Sequence, residues 1–229
     1  MTIVQRVSGV AGTITALKVQ KRNRDRVNVY LDERYSFSLV AHLAVPLRRG
    51  QILSDEEIAR LKEEDEYYQA YERANKLIAL RPRSETEVRR RMKRQGVAPN
   101  LVDKVIEKLT AVGFLNDAEF AQLWVENRET FRPRSRQMLR YELRQKGLDE
   151  AVIDQALEEV DEETSAQRLA LQRGQRLVRL DWPSFRQKLT GYLTRRGYSY
   201  EIARSAVRKA WQSLSADGLD IADNDQERG

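Results

Sequence analysis

Three prolines and three glycines return along this chain at a nearly constant interval. Pro82, Pro133 and Pro183 are spaced by 51 and 50 residues, and Gly96, Gly147 and Gly197 keep the same spacing. Within that frame Arg81-Pro82-Arg83-Ser84 recurs letter for letter as Arg132-Pro133-Arg134-Ser135, and more loosely as Asp181-Trp182-Pro183-Ser184. A period of about fifty residues restricts the fold to an array of one supersecondary unit. An array offers a long surface, which favours binding over catalysis.

Each period reads as three helices. Proline disfavours helical backbone in the residue before it, so it stops one helix. Serine caps the next, and glycine ends that helix in the left-handed conformation. The spacing predicts helices over about 66–80, 84–95 and 99–112 in the first copy. In the second they cover 117–131, 135–146 and 150–160, and in the third about 162–179, 184–196 and 200–214. Val88/Met92, Leu139/Leu143 and Leu189/Leu193 hold matching positions on the middle helix of each copy and are read as its core anchors.

Ahead of the array the period changes to two. Thr15, Leu17 and Val19, then Val27, Val29 and Leu31, then Tyr35, Phe37 and Leu39 alternate with polar residues across turn sequences at Asn23-Arg24-Asp25 and Asp32-Glu33-Arg34. This predicts a three-stranded antiparallel meander over about 13–39. Ser54-Asp55-Glu56-Glu57 is a capping box opening a helix. The expected organisation is a flexible leader at 1–12, a small β element at 13–53 and a connecting helix at 54–65. Three-helix repeats follow at 66–112, 113–160 and 161–214, with a disordered acidic tail at 215–229. The fold class is therefore mainly α: three tandem three-helix repeats preceded by a small antiparallel β meander.

Composition removes several kinds of chemistry. The chain has no cysteine and a single histidine, His42, so a disulfide, a thiolate nucleophile and a zinc–thiolate site are excluded. No phosphate loop or dinucleotide fingerprint occurs, and Ser84 and Ser135 lack a histidine base, so they read as caps rather than nucleophiles. No catalytic residue, metal ligand or cofactor is expected. His42 reads as structural, and Trp124, Trp182 and Trp211 read as core or repeat-junction residues. No membrane span or signal peptide is apparent, which together with the lack of cysteine gives a cytoplasmic protein as the expectation.

Charge supplies the positive signal. The excess of 41 Lys+Arg over 35 Asp+Glu gives a net charge of +6, which points to a polyanionic partner. From Arg81 to Arg94 there are seven basic residues and two acids; from Arg132 to Lys146 there are six and one. By contrast, Asp149 to Glu163 holds eight acids and no base. Candidate contact residues are Arg81, Arg83, Arg89, Arg90, Arg91, Lys93 and Arg94 in the first copy. In the second they are Arg132, Arg134, Arg136, Arg140, Arg144 and Lys146. A further group, Lys18, Lys21, Arg22, Arg24 and Arg26, surrounds the first hairpin. A basic track of this kind gives salt-dependent, sequence-tolerant binding to phosphates. The competing readings are a solvated face neutralised by the acidic helix that follows, and, for the hairpin, protection of a sheet edge.

Four segments resemble the RecX family of bacterial RecA regulators: Arg26-Val27-x-Val29-Tyr30-Leu31-Asp32; Arg83-Ser84-Glu85-x-Glu87-Val88; Gly113-Phe114-Leu115-Asn116-Asp117-x-x-Phe120-Ala121; and Glu142-Leu143-Arg144-Gln145-Lys146-Gly147. The resemblance covers about residues 13–214 and is strongest over 74–157. The third copy departs from it: the arginines flanking its proline are absent, and Phe185 stands at the serine position. The resemblance implies a non-enzymatic protein, acting in recombination, DNA repair and the SOS response. It would dock in the groove of the RecA–DNA filament and restrain ATP hydrolysis, strand exchange and filament growth. The expected partners are that filament and single- or double-stranded DNA, bound weakly by a monomer. Two other readings are a stand-alone DNA-binding protein with helix-turn-helix-like repeats and a helical scaffold for a protein partner.

Overall fold

Backbone alternation places the sheet, and the proline–serine–glycine frame places the helices. The structure, a computed structural model, describes residues 10–226, with side chains described over 12–215. The chain divides into two compact units, Met1–Pro82 with Val88–Phe114, and Arg83–Glu87 with Leu115–Gly229.

In the first unit, β1 (Val10–Val19), β2 (Arg26–Leu31), β3 (Arg34–Val40) and β4 (Ile52–Ser54) form a four-stranded sheet in the order β3-β2-β1-β4. All pairings are antiparallel. The expected meander is therefore present, with a fourth strand added at its other edge. Three residues are too few for β4 to show a period of two. The expected leader reaches into β1, which starts at Val10; residues 1–9 lie outside the described residues. Asp32 and Glu33 make the β2–β3 turn with φ of 46° and 67°, the left-handed pair that matches strand twist.

After the short α1 (Ala41–Ala44), the capping box opens α2 (Asp55–Leu80): Ser54 accepts from Glu57 N at 3.2 Å, and Glu57 accepts from Ser54 N at 2.8 Å. The expected break at 65/66 is absent, and α2 is one helix of 26 residues. No glycine or proline falls between Ser54 and Pro82, and Asp65, at the expected end of the connecting helix, faces the sheet. There it is 4% exposed. Ile14, Val29, Phe37, Leu39 and Leu53 from the sheet side pack with Ile58 and Leu61. Next come α3 (Glu85–Arg94), burying Val88 and Met92, and α4 (Pro99–Ala111), which buries Leu101, Val102, Val105, Ile106 and Leu109.

The second unit contains α5 (Asp117–Phe131), α6 (Arg136–Lys146), α7 (Glu150–Leu157), α8 (Glu162–Gly174), α9 (Trp182–Thr194) and α10 (Tyr200–Gln226). Leu139 and Leu143 pack with Phe120, Val125, Ile153 and Leu157, and Leu189 and Leu193 pack with Phe185, Ala203 and Val207. These are the expected core anchors. Trp182 and Trp211 lie 5.5 Å apart against the third copy's core. Two helices end early: α7 at Leu157 and α8 at Gly174. In the third copy Asp181 occupies the N-cap and Pro183 falls in the first turn, where its missing N–H has no cost. The backbone of α10 continues beyond the expected end at 214. The expected tail falls mainly on residues whose side chains, or in 227–229 the whole residue, lie outside the described ones.

The repeat frame has a tertiary meaning inside this unit. Ser84 caps the first turn of α3 through Glu87 N at 3.2 Å, and its hydroxyl donates to the Lys146 carbonyl at 2.6 Å, just before Gly147. One period on, Ser135 caps α6 through Met138 N at 3.1 Å, and its own N–H donates to the Arg196 carbonyl at 3.2 Å, just before Gly197. The serine of one copy thus meets the glycine end of the next. Both serines are completely buried. In the third copy Phe185 stands at the serine position and fills that copy's own core. The Asn116-Asp117 pair divides its work similarly: Asn116 caps α5 through Ala118 N and Glu119 N, while Asp117 accepts from Glu85 N at 2.8 Å. Burial raises the Asp117 carboxyl above the usual carboxylate range, partly opposed by that hydrogen bond.

Candidate partner-binding surface

Which basic residues can meet a partner depends on which already hold an internal acid. In the second copy most of them do. Glu150, at the start of α7, binds Arg140 Nη1 at 3.0 Å and receives two hydrogen bonds from Arg144. Arg140 also reaches Asp154 at 2.5 Å. Arg136 donates to the carbonyls of Leu157 and Glu158, satisfying the exposed end of α7. Lys146 binds Glu87 at 2.7 Å, with its ammonium 4.6 Å from the Trp124 ring centroid. Arg134 lies 3.8 Å from Glu142, whose other oxygen takes Arg128 at 2.7 Å and the Trp124 indole N–H at 2.9 Å. Among the described basic residues of this stretch, Arg132 and Arg136 are exposed without an ion pair, and Arg136 is already taken up by the α7 carbonyls.

These contacts come from sequence order. The acidic stretch opens α7, which packs along α6, so Glu150 and Asp154 lie one turn apart beside Arg140 and Arg144. The Glu150 carboxyl is held below the ordinary glutamate range, first by the Arg144 hydrogen bond and then by Arg140.

In the first copy the middle helix keeps more charge available. Arg89 pairs with Asp103, but Arg90, Arg91, Lys93 and Arg94 are exposed with no ion pair among the described residues. Arg81 is exposed, and its guanidinium donates to the Pro82 carbonyl at 2.9 Å. Arg83 is half-buried. At the hairpin, Lys21, Arg22 and Arg24 are exposed at the β1–β2 turn, and Lys18 lies over Tyr30 at 4.8 Å. Arg26 is different. Its guanidinium binds both oxygens of buried Asp65 at 3.0 Å, so it serves the fold.

Two apolar side chains share a frame position. Leu80 and Phe131, each directly before an Arg-Pro pair, are 78% and 74% exposed. The aromatic group of α2 is more enclosed: Tyr67, Tyr68 and Tyr71 are half-buried, and exposed His42 meets Tyr68 edge-on at 4.1 Å.

The sequence reading missed the third copy's cations. It looked for arginines flanking the proline, and there are none. Yet residues Ser165–Tyr200 hold eight basic residues and one acid, Asp181; among the described residues only Arg168 of the eight forms an ion pair, with Glu129 at 3.3 Å. A charge count over the whole copy would have found them. Among the described residues no group of His, Asp or Glu is arranged to hold a metal, and no helix is long and apolar enough to cross a membrane.

Comparison with known proteins follows this architecture element by element. Residues 12–53 match the regulatory protein RecX N-terminal domain. Residues 70–109, 116–157 and 161–207 match the first, second and third RecX three-helix domains. The regulatory protein RecX of Listeria welshimeri is 30% identical over 94% of this chain and 82% of its own length. That of Clostridium perfringens is 30% identical over 86% and 96%, and that of Bacillus subtilis 30% identical over 85% and 75%. A crystal structure of regulatory protein RecX superposes with a TM-score of 0.68 at 25% identity, covering 86% of this chain and 99% of that one. The small sheet, the three-helix copies and these similarities together show that the chain belongs to the RecX family of regulatory proteins.

Proposed function

We propose that this chain regulates RecA by binding in the groove of the RecA–DNA filament, and that it restrains ATP hydrolysis, strand exchange and filament growth. The observation that carries this reading is the exposed cation set Arg90, Arg91, Lys93 and Arg94, which has no acid partner among the described residues. Exposed Leu80 and Phe131 at matching frame positions add apolar anchors. Cations beside such anchors suit a protein surface that is acidic and partly apolar. Several moderate contacts on one chain gain effective concentration from each other, which suits a partner that itself repeats. In this reading the protein is a cytoplasmic monomer without catalytic activity of its own, and its affinity for DNA is modest and sequence-tolerant.

The second copy takes part conditionally. Arg144 becomes available only when Glu150 yields, and Arg140 only when Asp154 yields as well. Glu150→Gln should raise affinity for the filament about two- to fivefold at low salt, the scale of an exposed ion pair. The sign with pH follows from the depressed carboxyl: the pairing's stabilisation is present above the unfolded glutamate value of about 4.3 and is lost only as pH falls below it. Carboxyl NMR titration of Glu150 checks the direction.

The functional test is RecA's DNA-dependent ATP hydrolysis with increasing amounts of this chain. The rate should fall, and Arg90→Glu/Arg91→Glu/Lys93→Glu should weaken the effect. Tight, sequence-selective DNA binding without RecA would favour the stand-alone DNA-binding reading instead.

A further inference from the structure

The third copy holds a cleft that neither the repeat frame nor the filament reading uses. It lies between the end of α8 and one face of α9, and has a volume of about 460 Å³. Arg173, Leu177, Lys188, Gly191, Tyr192 and Arg195 line it, with no carboxylate among its lining residues. Lys188 and Tyr192 of α9 and Arg195 at its C-cap, which keeps helical backbone, fall at spacings of four and three, so they share one face. Arg173 approaches from the last turn of α8, and its guanidinium carbon lies 5.5 Å from the Tyr192 ring centroid. Arg196 holds the same ring at 4.8 Å while donating to the Pro133 carbonyl at 3.1 Å. The tyrosine is thereby fixed among cations. Gly191 leaves room for Arg195: a Cβ there would stand 3.3 Å from Arg195 Nη1.

No internal acid answers this charge. Arg173, Lys188 and Arg195 are exposed and make no ion pair among the described residues. That is the reverse of the second copy, where Glu150 and Asp154 cover the arginines. An uncovered concave site with two guanidinium forks, an ammonium, an aromatic ring and an apolar floor has the chemistry of a single-stranded nucleic-acid groove. Guanidinium forks match phosphate oxygens, and a ring beside them supports a base or sugar. An acidic protein segment would use the cations but leave Tyr192 and Leu177 without a matched contact.

We propose that the α8–α9 cleft of the third copy is a single-stranded nucleic-acid site, in which Arg173, Lys188 and Arg195 bind backbone phosphates and Tyr192 supports the nucleotide between them. This deepens the filament reading by assigning its DNA contact, and rests on that reading only for its biological setting.

The test uses the full chain, a fluorescent thymine-only single strand and no RecA, with anisotropy measured over a range of salt. Arg173→Gln/Lys188→Gln/Arg195→Gln should weaken binding at least about tenfold at low salt. It should also reduce the slope of log K against log salt by about 2, for three phosphates at about 0.7 each. Tyr192→Ala should weaken binding about five- to a hundredfold while leaving the slope nearly unchanged. Arg204→Gln/Arg208→Gln/Lys209→Gln, exposed on α10 and outside the cleft lining, removes the same net charge and should cost much less. Matched circular-dichroism melts exclude unfolding of the exposed-residue variants. Equal losses from the cleft and control triples, or an unchanged slope in the cleft triple, would overturn the site. So would retained DNA affinity combined with lost RecA association, which would make the cleft a protein contact. If the cleft result holds while the wild-type chain leaves RecA hydrolysis untouched, the filament reading fails and the cleft stands.

Discussion

Arg26→Ala should be among the most destabilising single changes in the first unit, costing about 3–5 kcal/mol. Asp65 is 4% exposed on α2 and accepts from four donors: both Arg26 amino groups at 3.0 Å, Val40 N at 2.6 Å and Gln69 Nε2 at 2.6 Å. The arginine also donates to Ser38 through its carbonyl at 3.0 Å and its hydroxyl at 2.8 Å. One guanidinium therefore joins β2, β3 and α2. Truncating it leaves a buried carboxylate without its counter-charge, which costs more than the pair itself contributes. Replacing both partners with apolar residues, Arg26→Met/Asp65→Leu, should recover only part of the loss, because Val40 N–H then has no acceptor. Urea midpoints give the magnitude, and hydrogen exchange in β2 and β3 gives the location. An Arg26→Ala change within 1 kcal/mol of wild type would show that this pair is not the pin between sheet and helix.

The glycines that mark the repeat should differ sharply in their tolerance of alanine. Gly96, Gly147 and Gly197 all sit at positive φ, of 77°, 82° and 93°, so alanine costs each about 1–2 kcal/mol in the left-handed region. Only the later two support a neighbouring copy's serine segment. A Cβ on Gly147 would lie 2.5 Å from the Thr86 methyl, and one on Gly197 would strike the Ser135 hydroxyl, whereas nothing lies within 4 Å at Gly96. Overpacking adds about 1–3 kcal/mol, so Gly147→Ala and Gly197→Ala should lose about twice as much stability as Gly96→Ala. Thermal or denaturant unfolding of the three variants checks the order. Equal losses would mean that the glycines only end helices and take no part in joining the copies.

That contrast shows what the sequence made legible. The period, the three-helix copies, the anchors Val88/Met92, Leu139/Leu143 and Leu189/Leu193, and the Ser54 capping box were readable, because each rests on local spacing. The Ser84–Lys146 and Ser135–Arg196 hydrogen bonds were not, since they cross about 60 residues and need the tertiary fold. The pairing of the second copy's arginines was not legible for the same reason. Arg136, Arg140 and Arg144 form a stripe on paper, but α7 brings Glu150 and Asp154 against the last two. Asp65 closes the expected connecting helix at 54–65 with nothing in the local spacing to mark it out, yet it is the acid buried beneath the sheet. In the third copy, the missing arginines beside Pro183 concealed eight cations with almost no acid to cover them.

Availability of charge, rather than its amount, therefore separates the copies. The first presents free cations on α3, the second covers most of its own, and the third opens a cationic cleft around Tyr192. The regulatory proposal needs this uneven surface to engage RecA assembled on DNA. The most direct measurement is RecA's ATP hydrolysis on single-stranded DNA as the wild-type chain is titrated in. A dose-dependent fall in rate that saturates below one chain per RecA subunit is the expected result if each chain contacts the filament at several points, as proposed. A rate unchanged by excess folded chain would contradict it.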